Sequence, residues 1–142
     1  MITYYHPHRV RYRECDPMGV VYHTHFVDYF EISRTELIRK LGVPYKKIEA
    51  SGLFIQVVEV NVRYHKPVFY DDDLEIATII AEEPAIRVNL KNEVRRKGES
   101  DILTSGLITL CFVDATRMRP VRVPDYFSRA VRHALDNPTE FL

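Results

Sequence analysis

The residues best suited to chemistry lie in one short run, Tyr12-Arg13-Glu14-Cys15-Asp16-Pro17-Met18-Gly19-Val20-Val21-Tyr22-His23. Asp16 supplies a carboxylate able to attack a carbonyl or to take a proton from water. Pro17 pushes Asp16 toward extended backbone, and Gly19 permits a tight bend. If a helix begins just beyond His23, its first N–H groups are unsatisfied and its end is electropositive, which suits a developing oxyanion. A carboxylate beside such a donor is an apparatus for acyl transfer. The alternative reading is equally physical: an Asp before Pro in a pre-helix loop commonly serves as a turn or capping residue.

Other clusters have simpler readings. His6-Pro7-His8 and His23-Thr24-His25 share a His-x-His spacing found in some metal sites, but no third ligand of convincing spacing completes either. No metal is expected. Cys15 adjoins Asp16, yet no pattern pairs it with a histidine as an activated thiol. Glu31 and Arg34 are placed three apart for a surface ion pair, with Glu31 kept as a minor alternative carboxylate. Asp71-Asp72-Asp73 reads as a charged turn. Arg95-Arg96-Lys97 reads as a solvated hairpin end, with phosphate binding as the lesser possibility. His25 is expected to be exposed, and His23 to help orient the site or simply to pack at the helix start.

The elements that must position Asp16 follow from periodicity. His8, Val10 and Tyr12 alternate with Arg9, Arg11 and Arg13, predicting a strand over 8–13. From Thr24 to Leu41 the period becomes helical. Phe26, Phe30, Ser33, Leu37 and Leu41 form one face flanked by Val27 and Ile38, Thr24 is a candidate cap, and Gly42-Val43-Pro44 is the stop. Eighteen residues at ~1.5 Å each give a helix of about 27 Å. A shorter helical turn is expected over 44–51. Strands are predicted over 58–64, 74–81, 86–94 and 102–113, with Lys97-Gly98-Glu99 as a hairpin turn and a short amphipathic helix over 125–135. Four antiparallel strands in a meander need something to cover, and the long helix is the obvious object. The expected class is α+β: a curved antiparallel sheet wrapped around one central helix, a single unit over residues 1–142.

Composition removes other classes. Twenty basic and twenty acidic side chains cancel, which argues against a nucleic-acid binder. No apolar run approaches the ~20 residues that span a bilayer, and the first residues lack the cationic and apolar segments of a signal peptide. Two cysteines without CxxC spacing fit a reduced, cytoplasmic setting.

The run Arg13 to His23, followed by Tyr29-Phe30-Glu31 and Ser33-Arg34, resembles the signature of hotdog-fold acyl-CoA thioesterases. The branch it looks most like is the 4-hydroxybenzoyl-CoA thioesterase group with its Tol-Pal-associated relatives. Tyr64-His65-Lys66-Pro67 leading into Asp71-Asp72-Asp73 is similar to that family's second landmark, with Tyr70-Asp71-Asp72 where Gly-Asp is commoner. Val113-Asp114 to Arg119-Pro120 resembles its closing segment. The resemblance implies a hotdog fold and hydrolysis of an acyl-CoA to free acid and CoA without metal or redox cofactor. It also implies a homodimer, often paired into a tetramer. Carried over by position, Asp16 matches the catalytic carboxylate and His23 the residue whose backbone N–H polarises the thioester carbonyl. Gly19, Val20, Tyr22 and Thr24 are the expected substrate contacts. A hotdog hydratase or dehydratase would need a differently placed His/Asp pair, and a non-catalytic acyl-CoA binder would have no use for Asp16.

Overall fold

The computed structural model describes residues 1–141; Leu142, the last residue of the expected 1–142 unit, lies outside the described residues. In chain order the elements are β1 (Ile2–Arg9), α1 (His25–Lys40), α2 (Tyr45–Ala50), β2 (Leu53–Tyr64), β3 (Asp73–Ile80), β4 (Arg87–Arg96), β5 (Thr104–Asp114), β6 (Arg119–Val121) and α3 (Asp125–Asp136). A 3-10 turn at Tyr12–Glu14 follows β1, and another at Pro138–Phe141 follows α3. The first strand therefore ends where the sequence predicted it to be under way. The alternation His8 to Arg13 is real, but its second half is taken by the turn that redirects the chain toward α1.

The sheet is antiparallel with order β1-β3-β4-β5-β2, and β6 pairs with β5. It is not the meander expected from sequence. The strand after α2 skips β3 and lies against β5, from Leu53 opposite Asp114 to Tyr64 opposite Thr104. Proximity in sequence was a poor guide here because the helix intervenes, and the closing segment β5 supplies β2's partner. Between Val57 and Glu59 the register shifts by a bulge, which bends the strand locally.

α1 lies on the inner face of this sheet. Phe26, Phe30, Leu37 and Ile38 are buried against Leu74, Ile76, Val94, Ile108, Leu110 and Phe112, each large apolar side chain contributing about 1.5–3 kcal/mol relative to exposure. The predicted stripe is thus the buried one, save that Leu41 is half-buried and Val27 faces solvent. Ser33, the polar member of the stripe, is satisfied: its hydroxyl lies 2.9 Å from the Ile76 carbonyl and 2.7 Å from the Thr78 hydroxyl. The close approach of helix to sheet has a specific cause. Gly106 on β5 sits under the Phe30 ring, and a Cβ there would come within 2.5 Å of it. The helix ends as its sequence requires, with Gly42 at φ +87° and its N–H donating to the Arg39 carbonyl.

The surface clusters differ in part from expectation. Arg34 is buried and donates to the Tyr45 hydroxyl at 3.3 Å, while Glu31 is exposed, so the expected Glu31–Arg34 pair is replaced by a helix–helix contact. Arg95 and Arg96 are half-buried and face Glu93 (3.3 Å) and Asp72 (3.0 Å) rather than forming a solvated hairpin end. Asp71 and Asp72 make the expected turn, with Asp71 in the left-handed region at φ +68°, while Asp73 already opens β3.

Candidate functional site

The loop between β1 and α1 is a pinched hairpin. Cys15 pairs with Val21 across it, Asp16 N–H donates to the Val20 carbonyl at 2.9 Å, and Tyr22 N–H to the Glu14 carbonyl at 2.9 Å. Its tip is the bend Asp16-Pro17-Met18-Gly19, closed by Gly19 N–H on the Asp16 carbonyl at 2.9 Å. Gly19 adopts φ +80°, a conformation that costs other residues more. Val20 bridges to Phe69 and Val21 N–H donates to the Val68 carbonyl at 2.7 Å, so the loop is stitched to the segment following β2.

Asp16 is half-buried. One carboxylate oxygen accepts the Met18 N–H at 2.8 Å and the Val20 N–H at 3.4 Å. The turn role weighed in the sequence is therefore real, and it uses only that oxygen; the other takes no hydrogen bond among the described residues. The carboxylate lines a cleft of ≈ 350 Å³ with Tyr12, Cys15, Pro17, Gly19 and Tyr70.

The helix start is open. Thr24 occupies the capping position, but its side chain caps nothing; instead the Tyr22 carbonyl accepts His25 N–H at 3.0 Å and the Thr24 carbonyl accepts Val27 N–H at 3.2 Å. Among the described residues the backbone N–H groups of His23 and Thr24 donate no hydrogen bond. They are the free donors that the helix dipole makes attractive to an anion. The His23 carbonyl is held by the Tyr64 hydroxyl at 2.9 Å, and the two rings meet edge to face at 6.4 Å. His23 lines a second cleft, ≈ 270 Å³, floored by Val21, Phe26 and Val68 and rimmed by Tyr64 and Lys66.

The expected site residues therefore divide. Asp16 and Gly19 line one cleft, Val20 and His23 the other, and Tyr22 and Thr24 are exposed at the helix start without lining either. Val20, which lines the His23 cleft, reaches the Asp16 carboxylate through its own N–H at 3.4 Å. The largest cavity described, ≈ 540 Å³, lies elsewhere, against the β2 bulge and β6, lined by Val57, Val58, Ile86 and Val121 with Arg87 and Arg122. It contains neither a carboxylate nor a helix end; those lie at the smaller clefts.

The sequence alone assigns Glu14 no role, and the structure gives it one. A single carboxylate oxygen of Glu14 accepts the Arg11 N–H, the Tyr29 hydroxyl and a ring nitrogen of His8, each at 2.9 Å. An ionised carboxylate has no proton to give, so His8 Nε2 carries the hydrogen. Burial pushes the Glu14 carboxyl up, but the bonds from Arg11, His8 and Tyr29 outweigh it and leave it below its ordinary value. Burial, then the bond to Glu14, pushes the Tyr29 hydroxyl far up. The available signal was Arg11-x-x-Glu14, the spacing by which a carboxylate reaches back to cap a turn. Burial followed by the charges of Glu14, Asp16 and Asp72 raises the Cys15 thiol, which keeps it protonated and unsuited to attack. His25 is half-buried beside Asp28 at 3.5 Å rather than fully exposed. Among the described residues no group of three or more His, Cys, Asp or Glu is arranged to hold a metal, and no helix is long and apolar enough to cross a membrane.

Comparison with known proteins agrees with the fold. Over 71 residues the chain is 41% identical to YneP of Bacillus subtilis, covering 50% of this chain and 51% of that protein; this chain thus matches about half of that relative's length. It is 30% identical over 118 residues to the acyl-CoA thioester hydrolase YbgC of Escherichia coli O157:H7, covering 83% of this chain and 87% of YbgC. The DHNA-CoA thioesterase of Staphylococcus aureus superposes with a TM-score of 0.84 at 29% identity, over 98% of this chain and 96% of that one. The wrapped helix is thus the hotdog arrangement that the resemblance implied. The model of the Thioesterase-like superfamily matches residues 10–131, and the chain belongs to that superfamily.

Proposed function

We propose that this protein hydrolyses acyl-CoA thioesters to a free acid and CoA. The observation that carries this reading is a half-free carboxylate, Asp16, that accepts the N–H of Val20, a residue lining the same cleft as His23, whose backbone N–H donates no hydrogen bond among the described residues. A thioester carbonyl is already electrophilic, so the enzyme needs an attacker or base and a donor for the developing charge. A single oxyanion donor is worth ~3–4 kcal/mol and general-base assistance about 10²–10⁴ in rate. The His23 N–H supplies the first. Asp16 supplies the second, or attacks the carbonyl itself to give an anhydride that water then opens; in both routes the sulfur leaves as the CoA thiol. Gly19, Val20, Tyr22 and Thr24 contact the substrate around this point. No metal or redox cofactor enters the reaction, and the enzyme works in the cytoplasm.

The working unit in this reading is a homodimer, paired further into a tetramer. β2 is twelve residues long, its only ladder partner among the described residues is β5, and Val57, Val58, Val60 and Tyr64 along it are exposed. A long apolar edge of this kind is a template for another strand, and a second copy of the chain supplies one. The large apolar cavity at the bulge lies on the same strand and would be covered with it.

Thiol release from a panel of aryl and aliphatic acyl-CoAs tests the activity. Hydrolysis of at least one member supports it. Hydration of an enoyl-CoA, or tight binding without turnover of any member, would replace it with a hydratase or a binding protein.

A further inference from the structure

We infer that Glu14 is a positioning residue for this reaction: it is the joint that fixes the Asp16 carboxylate relative to the N–H groups at the start of α1. The inference rests on the reading of Asp16 given above and adds a residue to it. Both halves of the site hang from Glu14. Its peptide leads directly through Cys15 to Asp16, and its carbonyl holds Tyr22 N–H at 2.9 Å, one residue before His23. Its carboxylate is bound to the flanking elements. Tyr29, on the first turns of α1, donates from the helix; His8 donates from β1; Arg11 N–H donates from the intervening turn. The His8 and Tyr29 rings also meet at a tilt of 47° with centroids 4.6 Å apart, so the two donors hold each other in place. Tyr29 is only 1% exposed and the side chains of Glu14 and His8 are 13% and 16% exposed, so water does not compete freely for these bonds.

The consequence is geometric. Without the carboxylate joint the pinched hairpin stays closed by its own backbone bonds, but the direct side-chain tie from Glu14 to Tyr29 on α1 is lost, leaving only the backbone link through Tyr22. Displacements of about 1 Å between an attacking group and an oxyanion donor can cost about 10² in rate, whereas substrate affinity, set by the remaining cleft walls, changes little. Glu14 touches neither the cleft holding His23 nor the one holding Asp16, so its effect is expressed through Asp16 rather than by contact with substrate.

A double-mutant cycle tests this. Glu14→Gln should lower kcat about tenfold or more with KM within about threefold of the parent, and Tyr29→Phe, which removes one hydroxyl alone, should do the same more weakly. In an Asp16→Asn background Glu14→Gln should cost little more, because the group it positions is already gone. Circular dichroism and thermal unfolding of each variant show whether it is folded; if Glu14→Gln is not, Tyr29→Phe carries the cycle. Parent-like kcat in the folded Glu14→Gln and Tyr29→Phe variants overturns the inference. So does a loss fully additive with Asp16→Asn. Parent-like kcat in Asp16→Asn alone is a different result: it overturns the reading of Asp16 itself.

Discussion

At the scale of the residue, the sequence made Asp16 conspicuous because its neighbours are turn-formers, and the structure assigns the turn role to one oxygen while the second takes no hydrogen bond among the described residues. Glu14 was harder to read. Its three donors come from β1, a turn and α1, and only the Arg11 contact is local. No periodicity announces a contact fifteen residues away. The depressed Glu14 carboxyl gives a pH prediction. A carboxyl that titrates lower in the folded chain than in the unfolded one stabilises fully above its unfolded value, near 4.5, and loses that contribution as pH falls through its folded value. Glu14→Gln should therefore reduce stability at pH 7 by about 1–3 kcal/mol, the range for bonds to a charged, mostly buried acceptor. The gap to the parent should close in acid. Denaturant unfolding of both proteins between pH 7 and 3 measures it; a gap that is constant with pH would contradict the assignment.

At the scale of the element, α1 and the inner faces of the strands were legible because apolar spacing is a local signal, and Phe26, Phe30 and Leu37 are buried where the period placed them. Val27 could not be placed, since a residue at the margin of the stripe is decided by how far the sheet extends over it. The identity of Gly106 carried no visible message either. It matters because a ring from α1 occupies the space above it. Gly106→Ala should destabilise the protein by about 1–3 kcal/mol through overpacking, even though alanine is ordinarily better than glycine within a strand. Thermal unfolding of this variant measures it, and a stabilised protein would contradict the close helix–sheet contact. Asp71 makes the opposite case. At φ +68° it sits where a side chain is strained, so Asp71→Gly should be neutral or stabilising by up to about 1 kcal/mol, offset by any loss of the Arg9 contact at 3.7 Å.

At the scale of the whole molecule, strand order was the part that sequence could not supply. Alternation identifies strands but does not rank their partners, and β2 pairs with β5, some fifty residues later, rather than with its successor. That order leaves β2 at an edge with Val57, Val58 and Val60 exposed. Sedimentation of the parent should therefore give a dimer or tetramer. Val60→Lys, a charge on the edge, should shift it toward monomer and reduce turnover with it. A parent that sediments as a monomer while hydrolysing acyl-CoA would remove the second copy from the account.

The most direct test of the central claim is the turnover of Asp16→Asn against the parent on the best substrate of the panel, with thermal unfolding of both run in parallel. Asparagine keeps an oxygen able to accept the Met18 and Val20 N–H groups, so the bend should survive while the base or nucleophile is lost. The account predicts a fall in kcat of two or more orders of magnitude with the melting transition little changed. Parent-like hydrolysis by the folded variant would contradict it.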